Sequence, residues 1–432
     1  MAPLSTLLIN AAAVVAAAVA PSAADDTPAQ CLHFEEALVG AIDIDPRMDS
    51  ARGRSDAAKA DALLAYSQYA PQIGLFAQVG LGDTLPLDQI RDDQVGIQGT
   101  VDLYTFGRRK HAQAEARALL EAAREGEEEA KVLVLRSVAL SFLDVLRANA
   151  LIELAKQELK IYERDARTVD DRLERQVITI ADASQIRARE AVARADLRRA
   201  IAQRDAAAVR LEVLSGRKAA CVDGISAADY LTYGTAELFL LPEEQAVDFA
   251  MGRSFTVKRA EASVDVAKAR VRQANRANLP VLSANGFTLY EYDSDTGDFN
   301  EESRIGLTLR QELFAGGANR ARRLRARSEL RQAEADARLE RISLEDQVRR
   351  ALHRAIAAED IRKALNVASS EANNQLKATE RAYELNAVAL TDLVIAVETY
   401  YGSAAREVNA TNEYLTALVE LYAALGTISQ PL

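Results

Sequence analysis

The chain is written twice. Residues 35–71 recur 209 positions later: Glu35 is matched by Glu244, Ala37 by Ala246, Ala41 by Ala250, Ala58 by Ala267 and Pro71 by Pro280. From Leu103 the offset is 210, pairing Leu103 with Leu313, Leu120 with Leu330, Val138 with Val348, Asp182 with Asp392 and Gly216 with Gly426. A repeat this long and nearly gapless makes two copies of one folding unit, so any architecture proposed for one half must serve the other. The single length change falls between Pro71 and Leu103. Such changes are tolerated at loop tips and not in packed helices, so this stretch holds a hairpin.

Each copy has the same order of elements. An Ala-rich helix comes first, near Phe34–Tyr69, broken at Asp45-Pro46, and again near Glu243–Leu279. It must stop before Pro71 and Pro280, because proline disfavours helix at the residue before it. Strict alternation follows. Val95, Ile97, Val101 and Leu103 are separated by polar or small residues, as are Ile305, Leu307 and Leu309. That is the period of a strand wet on one face and apolar on the other. Partner strands are expected at 73–81 and 281–290, with polar loops at 82–93 and 291–302. Strands of about 9–11 residues cross a bilayer when tilted. Gly107 and Gly316-Gly317 then mark a sharp change from strand to helix. Proline-free helix is expected from Arg108 to Glu174 and from Ala318 to Glu384, roughly 100 Å each at 1.5 Å per residue. Apolar residues at helical spacing (Val138, Phe142, Val145 and Leu146; Val348, Leu352 and Ile356) predict coiled-coil-like packing. A short turn near Asp182 and Asp392 leads into a returning helix that ends at Gly216 and Gly426, each a C-cap glycine.

The expected division is a leader at 1–24, repeat one at 25–216, an inter-repeat segment at 217–242, repeat two at 243–426 and a tail at 427–432. Leu7–Ala20 is apolar but too short to span a membrane, and Ser22-Ala23-Ala24 suits signal peptidase. The alternative is an Ala-rich tail, since no Lys or Arg precedes the run. Cys31 lacks the small residues that precede a lipidated cysteine, so no lipid anchor is expected. Tryptophan is absent and aromatics are 5%, which fits long helices with small residues at their contacts. The net charge of −11 argues against a nucleic-acid partner. Two cysteines and three scattered histidines (His33, His111 and His353) make no metal set. With no nucleophile elbow and no phosphate-binding glycine loop, we expect neither an enzyme nor a cofactor. Four strands cannot close a barrel, and an open sheet is forbidden in lipid. The chain must therefore oligomerise: two copies give eight strands and three give twelve.

The order helix, Pro, hairpin, Leu313-Phe314-Ala315-Gly316-Gly317, long helix, then Tyr383 and Leu390-Thr391-Asp392 resembles the TolC family of outer-membrane channels. Copy one carries the weaker Leu103-Tyr104-Thr105-Phe106-Gly107 and Ile180-Ala181-Asp182. The resemblance implies a mainly α fold with two β-hairpins per chain. In a homotrimer these would make a twelve-stranded transmembrane barrel in outer-membrane lipid and a periplasmic α-helical tunnel. It implies a periplasmic adaptor (membrane-fusion) protein and an inner-membrane ABC or proton-driven transporter as partners. The cargo is either protein, by type I secretion, or small molecules. The tip turns at 174–182 and 384–392 would then form the periplasmic gate, with Asp182, Asp392, Tyr383, Thr391 and Asn386 there. Asn386 stands where many members carry glycine, and Ile395 where some carry a second aspartate. Asp182 and Asp392 would ring the pore, or cap the returning helices, or both. Cys31 and Cys221 either form a disulfide in the oxidising periplasm or stay as two unpaired thiols. The competing reading is a soluble periplasmic coiled-coil adaptor or scaffold, which leaves the alternating strands without a purpose.

Overall fold

The structure, a computed structural model, describes residues 31–84, 88–176, 178–219, 221–232, 242–292, 298–385 and 387–428. The expected leader, Asn386 and most of the expected tail lie outside them. The described residues divide into two compact units. The first takes Met1–Ser50, Glu128–Ser254 and Ile342–Leu432; the second takes Ala51–Glu127 and Phe255–Arg341. The units cut across the repeats, each receiving corresponding pieces of both.

The second unit carries the sheet. Helix α2 (Pro46–Ser67) leads to β1 (Gln72–Thr84) and β2 (Asp88–Tyr104), after which α3 (Arg108–Arg167) begins. In the other copy α8 (Phe255–Asn275) leads to β3 (Val281–Tyr292) and β4 (Phe299–Arg310), and then to α9 (Ala318–Glu384). The four strands form one antiparallel sheet in the order β1-β2-β3-β4. Gln72 pairs with Thr100 and, one repeat on, Val281 pairs with Arg310. The two hairpins thus share one register. The residue gained by copy two lies beyond the last common pair, between Tyr292 and Phe299, which matches the space between Asp83 and Gln89.

Two expectations need correction here. Most of the polar segments expected as loops are paired strand: β1 and β2 stay in register to Thr84 and Asp88, and β3 and β4 to Tyr292 and Phe299. Ladder bonds are made by the backbone, so acidic side chains do not end a hairpin. The first helix of copy two also breaks, without a proline, at Ser254, between α7 (Glu243–Arg253) and α8. Ser254 corresponds to Asp45, which separates α1 (Phe34–Ile44) from α2. Both are residue types that favour helix N-caps. Asp45 shows why: its carboxylate accepts the Arg47 backbone N–H at 2.8 Å.

The first unit holds the main apolar core. Val138, Phe142, Leu143 and Val145 of α3 are fully buried, as are Phe34 of α1 and Val348 of α9. Phe34 meets the Phe142 ring edge-on at 5.2 Å. The long helix of copy one is interrupted at Thr168, whose hydroxyl donates to the Asp165 carbonyl. Local side-chain bonds of this kind compete with the helical ladder. A short helix α4 (Val169–Glu174) follows, then α5 (Ile180–Ser215). Between the repeats lies α6 (Gly224–Thr232), and the chain closes with α10 (Leu390–Leu425). Gly216 and Gly426 end α5 and α10 in the left-handed conformation, at φ 64° and 71°. Among the described residues no helix is long and apolar enough to cross a membrane.

Candidate functional site

Two regions could carry function: the sheet and the tips of the helical hairpins. Register assigns every strand residue to a face. Ile73, Leu75 and Val79 share one face with Val95, Ile97 and Val101, and with Ile305, Leu307 and Leu309. Most of these are exposed, Ile305 at 93%. On the same face the hydroxyls of Thr288 and Ser303 bond each other at 2.7 Å. The opposite face carries Gln78, Gln98, Thr100, Asp102, Asn285, Arg304 and Thr308. Its polar groups pair across strands: Ser283 with Asp102 at 2.7 Å and Thr308 with Asn285 at 3.0 Å.

The junction residues sit where the chain changes direction. Pro71 and Pro280 immediately precede β1 and β3. Gly107, Gly316 and Gly317 all have positive φ, at 85°, 57° and 86°. Copy one departs from the pattern. The position matching Gly316 is Phe106, and it too is left-handed, at φ 49°. Its carbonyl accepts a bond from Arg276 Nη1 at 2.8 Å, and its ring packs edge-on against Tyr104 at 4.6 Å. These contacts hold a conformation that bulky residues avoid.

At the tips α4, α5 and α10 bury Val169, Ala183, Ile186, Leu390 and Val394 together, with Tyr383 packed against them. Asp182 caps α5. Its Oδ2 accepts the Thr179 backbone N–H at 2.9 Å and the Thr179 hydroxyl at 2.8 Å, while Thr179 Oγ1 accepts the Asp182 N–H. These bonds, the backbone one foremost, hold the Asp182 carboxyl below the usual aspartate range. Asp392 is exposed and accepts the Ala389 N–H at 3.1 Å. Thr391 is exposed in the first turn of α10. Gln176 is left-handed, at φ 56°, in the position that corresponds to Asn386.

Tyr383 draws in a residue that sequence reasoning missed. Arg172 donates to its hydroxyl at 2.7 Å and lies over its ring, 5.4 Å from the centroid. Arg189 pairs with Glu398, and Arg164 with Glu380 at 3.7 Å. Each contact ties one repeat to the other. A signal was available: Arg172 corresponds to Ala382, Arg189 to Thr399 and Glu398 to Ala188, so the copies differ at these ties. Further along the same hairpins Tyr162 and Tyr401 are buried with Leu376, Leu393 and Val397. Burial first, then Glu158 and Glu398, push the Tyr162 hydroxyl up to about 12. Burial also raises Glu158, with Asp196 and Glu398 adding to the shift and Arg189 opposing it.

Cys31 and Cys221 are joined in a disulfide closing a span of 190 residues. Beside it Leu32 donates to the Cys221 carbonyl at 2.9 Å and accepts from Asp223 at 3.0 Å. Among the described residues no group of three His, Cys, Asp or Glu side chains could hold a metal ion. His33 contacts Asp223 at 3.0 Å, as a group at a helix start does.

The profile of the "Outer membrane efflux protein" family matches the chain twice, at 38–217 and 247–427. The outer membrane protein TolC of Vibrio cholerae is 23% identical over 405 residues, 89% of each chain. A crystal structure of CusC superposes with a TM-score of 0.79 at 18% identity, covering 94% of this chain and 95% of that one. The Campylobacter jejuni CmeC outer membrane channel superposes at 0.77 with 14% identity, over 95% and 91%. The fold is that of these channels, and the two family matches carry the same offsets as the internal repeat. The chain belongs to the outer membrane efflux protein family.

Proposed function

We propose that three copies of this chain close their sheets into a twelve-stranded barrel across the outer membrane, continued by the paired helices as a periplasmic tunnel. The observation that carries this is the sheet itself. It has one apolar exposed face, one polar face, and two edge strands, β1 and β4. In lipid an unpaired edge costs several kcal/mol per unsatisfied group, so β1 of one copy pairs with β4 of the next. Two copies would give eight strands, an interior just wide enough for side chains to fill. Three give a lumen lined by Gln98, Thr100, Asn285 and Thr308. Repeats 25–216 and 243–426 then alternate around the pore as six similar units.

On this reading the protein is a passive exit duct, and its partners are a periplasmic adaptor and an energised inner-membrane transporter. Its cargo is small molecules or protein. The tips are the gate. The bonds of Arg172 to Tyr383, Arg189 to Glu398 and Arg164 to Glu380 hold the two repeats' tips together, and opening must break them. Asp182 and Asp392 serve as helix caps and, in a trimer, supply six carboxylates that favour cations. The test is membrane fractionation followed by planar-bilayer recording. The reading expects recovery in the outer-membrane fraction, small resting conductance, and larger conductance in an R172A/R189A variant. Recovery in the soluble periplasm without detergent would reject it in favour of an adaptor or scaffold.

A further inference from the structure

The helix end of the sheet holds an open cavity of about 540 Å³ within the second compact unit. Four arginines line it: Arg108, Arg270, Arg322 and Arg325. Only two carboxylates, Asp102 and Glu329, face them. Both are engaged. Asp102 accepts from Ser283 at 2.7 Å, and Glu329 from Arg325 at 2.7 Å. Arg270 is paired with Glu115 at 2.7 Å. Arg322 is held by an uncharged acceptor, Asn319 Oδ1, at 2.8 Å. Among the described residues neither Arg108 nor Arg322 has a carboxylate partner. Asp102, bonded to a neutral hydroxyl, keeps its charge, so the four guanidinium groups outnumber the carboxylates beside them, Asp102, Glu329 and Glu115, by one, in a chain whose net charge is −11.

The duplication supplies an internal control. Arg108, Arg270, Arg322 and Arg325 correspond to Ala318, Asp61, Ala112 and Glu115. The fold does not require arginine at these places, since the other copy has none. A second cavity of about 430 Å³ in the same unit has Lys268, Arg338 and Arg341 facing Glu261, Asp265 and Glu334. There the charges balance, and the ordinary reading of a solvated ion-pair lattice suffices. In the first cavity they do not. One further feature favours an anion. Arg108 is the first residue of α3, where the helix dipole is positive, while Arg322 and Arg325 lie beyond the first turn of α9.

We propose that this cavity binds the phosphate group of an anionic ligand. Planar guanidinium forks match phosphate oxygens bidentately, and the volume admits a phosphate with its first substituent. The group could be carried by a phospholipid headgroup or by a phosphorylated solute, and two arms separate these sources. In one, the detergent-solubilised oligomer is titrated calorimetrically with inorganic phosphate at low salt. In the other, it is incubated with micelles containing phosphatidylglycerol and examined by native mass spectrometry.

Binding is expected in at least one arm: phosphate uptake identifies a solute site, and lipid retention alone a headgroup site. An R108Q/R322Q variant should bind at least tenfold more weakly. R272Q, which removes a cation of α8 outside the cavity, should bind as wild type. E329Q keeps all four arginines, so it should bind severalfold more tightly, a gain that misfolding cannot produce. No binding in either arm overturns the proposal, as does equal binding by wild type, R108Q/R322Q and E329Q. The readout does not depend on conductance, so its failure leaves the pore reading standing.

Discussion

Phe106 and Gly316 occupy one position in the two repeats, and both are left-handed. Nothing lies within 4 Å of a Cβ added at Gly316, so Gly316→Ala would cost only its backbone strain, about 1–2 kcal/mol. Gly107 differs, because a Cβ there would meet Arg276 Nη1 at 2.6 Å. Gly107→Ala should therefore destabilise more than Gly316→Ala in thermal unfolding, through loss of the Arg276 bond to Phe106. The two acids near the tip have opposite pH signatures. The raised Glu158 holds its proton more tightly in the folded protein, so its contribution is complete at low pH and is lost as pH rises through the raised pKa. Glu158→Gln should raise the Tm at pH 7 and have little effect near pH 4. Asp182 is lowered, so its stabilisation is present above the ordinary aspartate range and is lost as pH falls through its own pKa. Asp182→Asn should lower the Tm at pH 7, and the difference should shrink on acidification.

At the scale of elements the hairpins make the clearest prediction. A Lys at Val95, Ile97 or Leu307 should impair membrane assembly, at a cost of about 2–4 kcal/mol at mid-bilayer. A Lys at Gln98 or Thr308 should leave assembly intact and change conductance. Equal effects on both sets would show that the faces are exchanged. The faces were legible because alternation survives in one dimension. Val95, Ile97, Ile305 and Leu307 announce themselves without any knowledge of strand order. The α9 boundaries were legible for a related reason: Gly317 and the turn before Asp392 bracket a proline-free helix. What the sequence hid depends on pairing across the chain. Strand extension past Leu81 depends on backbone bonds that side-chain polarity does not report. The Arg172–Tyr383 tie joins residues 211 positions apart, and only the difference between the copies hints at it.

The whole molecule is an incomplete object as a single chain. Its exposed apolar sheet face and two sheet edges make sense only when copies join and lipid covers the face. The disulfide between Cys31 and Cys221 ties the start of repeat one to the inter-repeat segment that follows it. Restricting a loop of that span in the unfolded state is worth about 5 kcal/mol in the chain-entropy model. Reduction should therefore lower the thermal stability of the first compact unit, as seen by the circular dichroism of the helices. The measurement closest to the central claim is native mass spectrometry of the protein extracted in mild detergent from purified outer membranes. The account predicts a complex of three chains and no other stoichiometry. A monomer, or a dimer with an eight-stranded barrel, would contradict it.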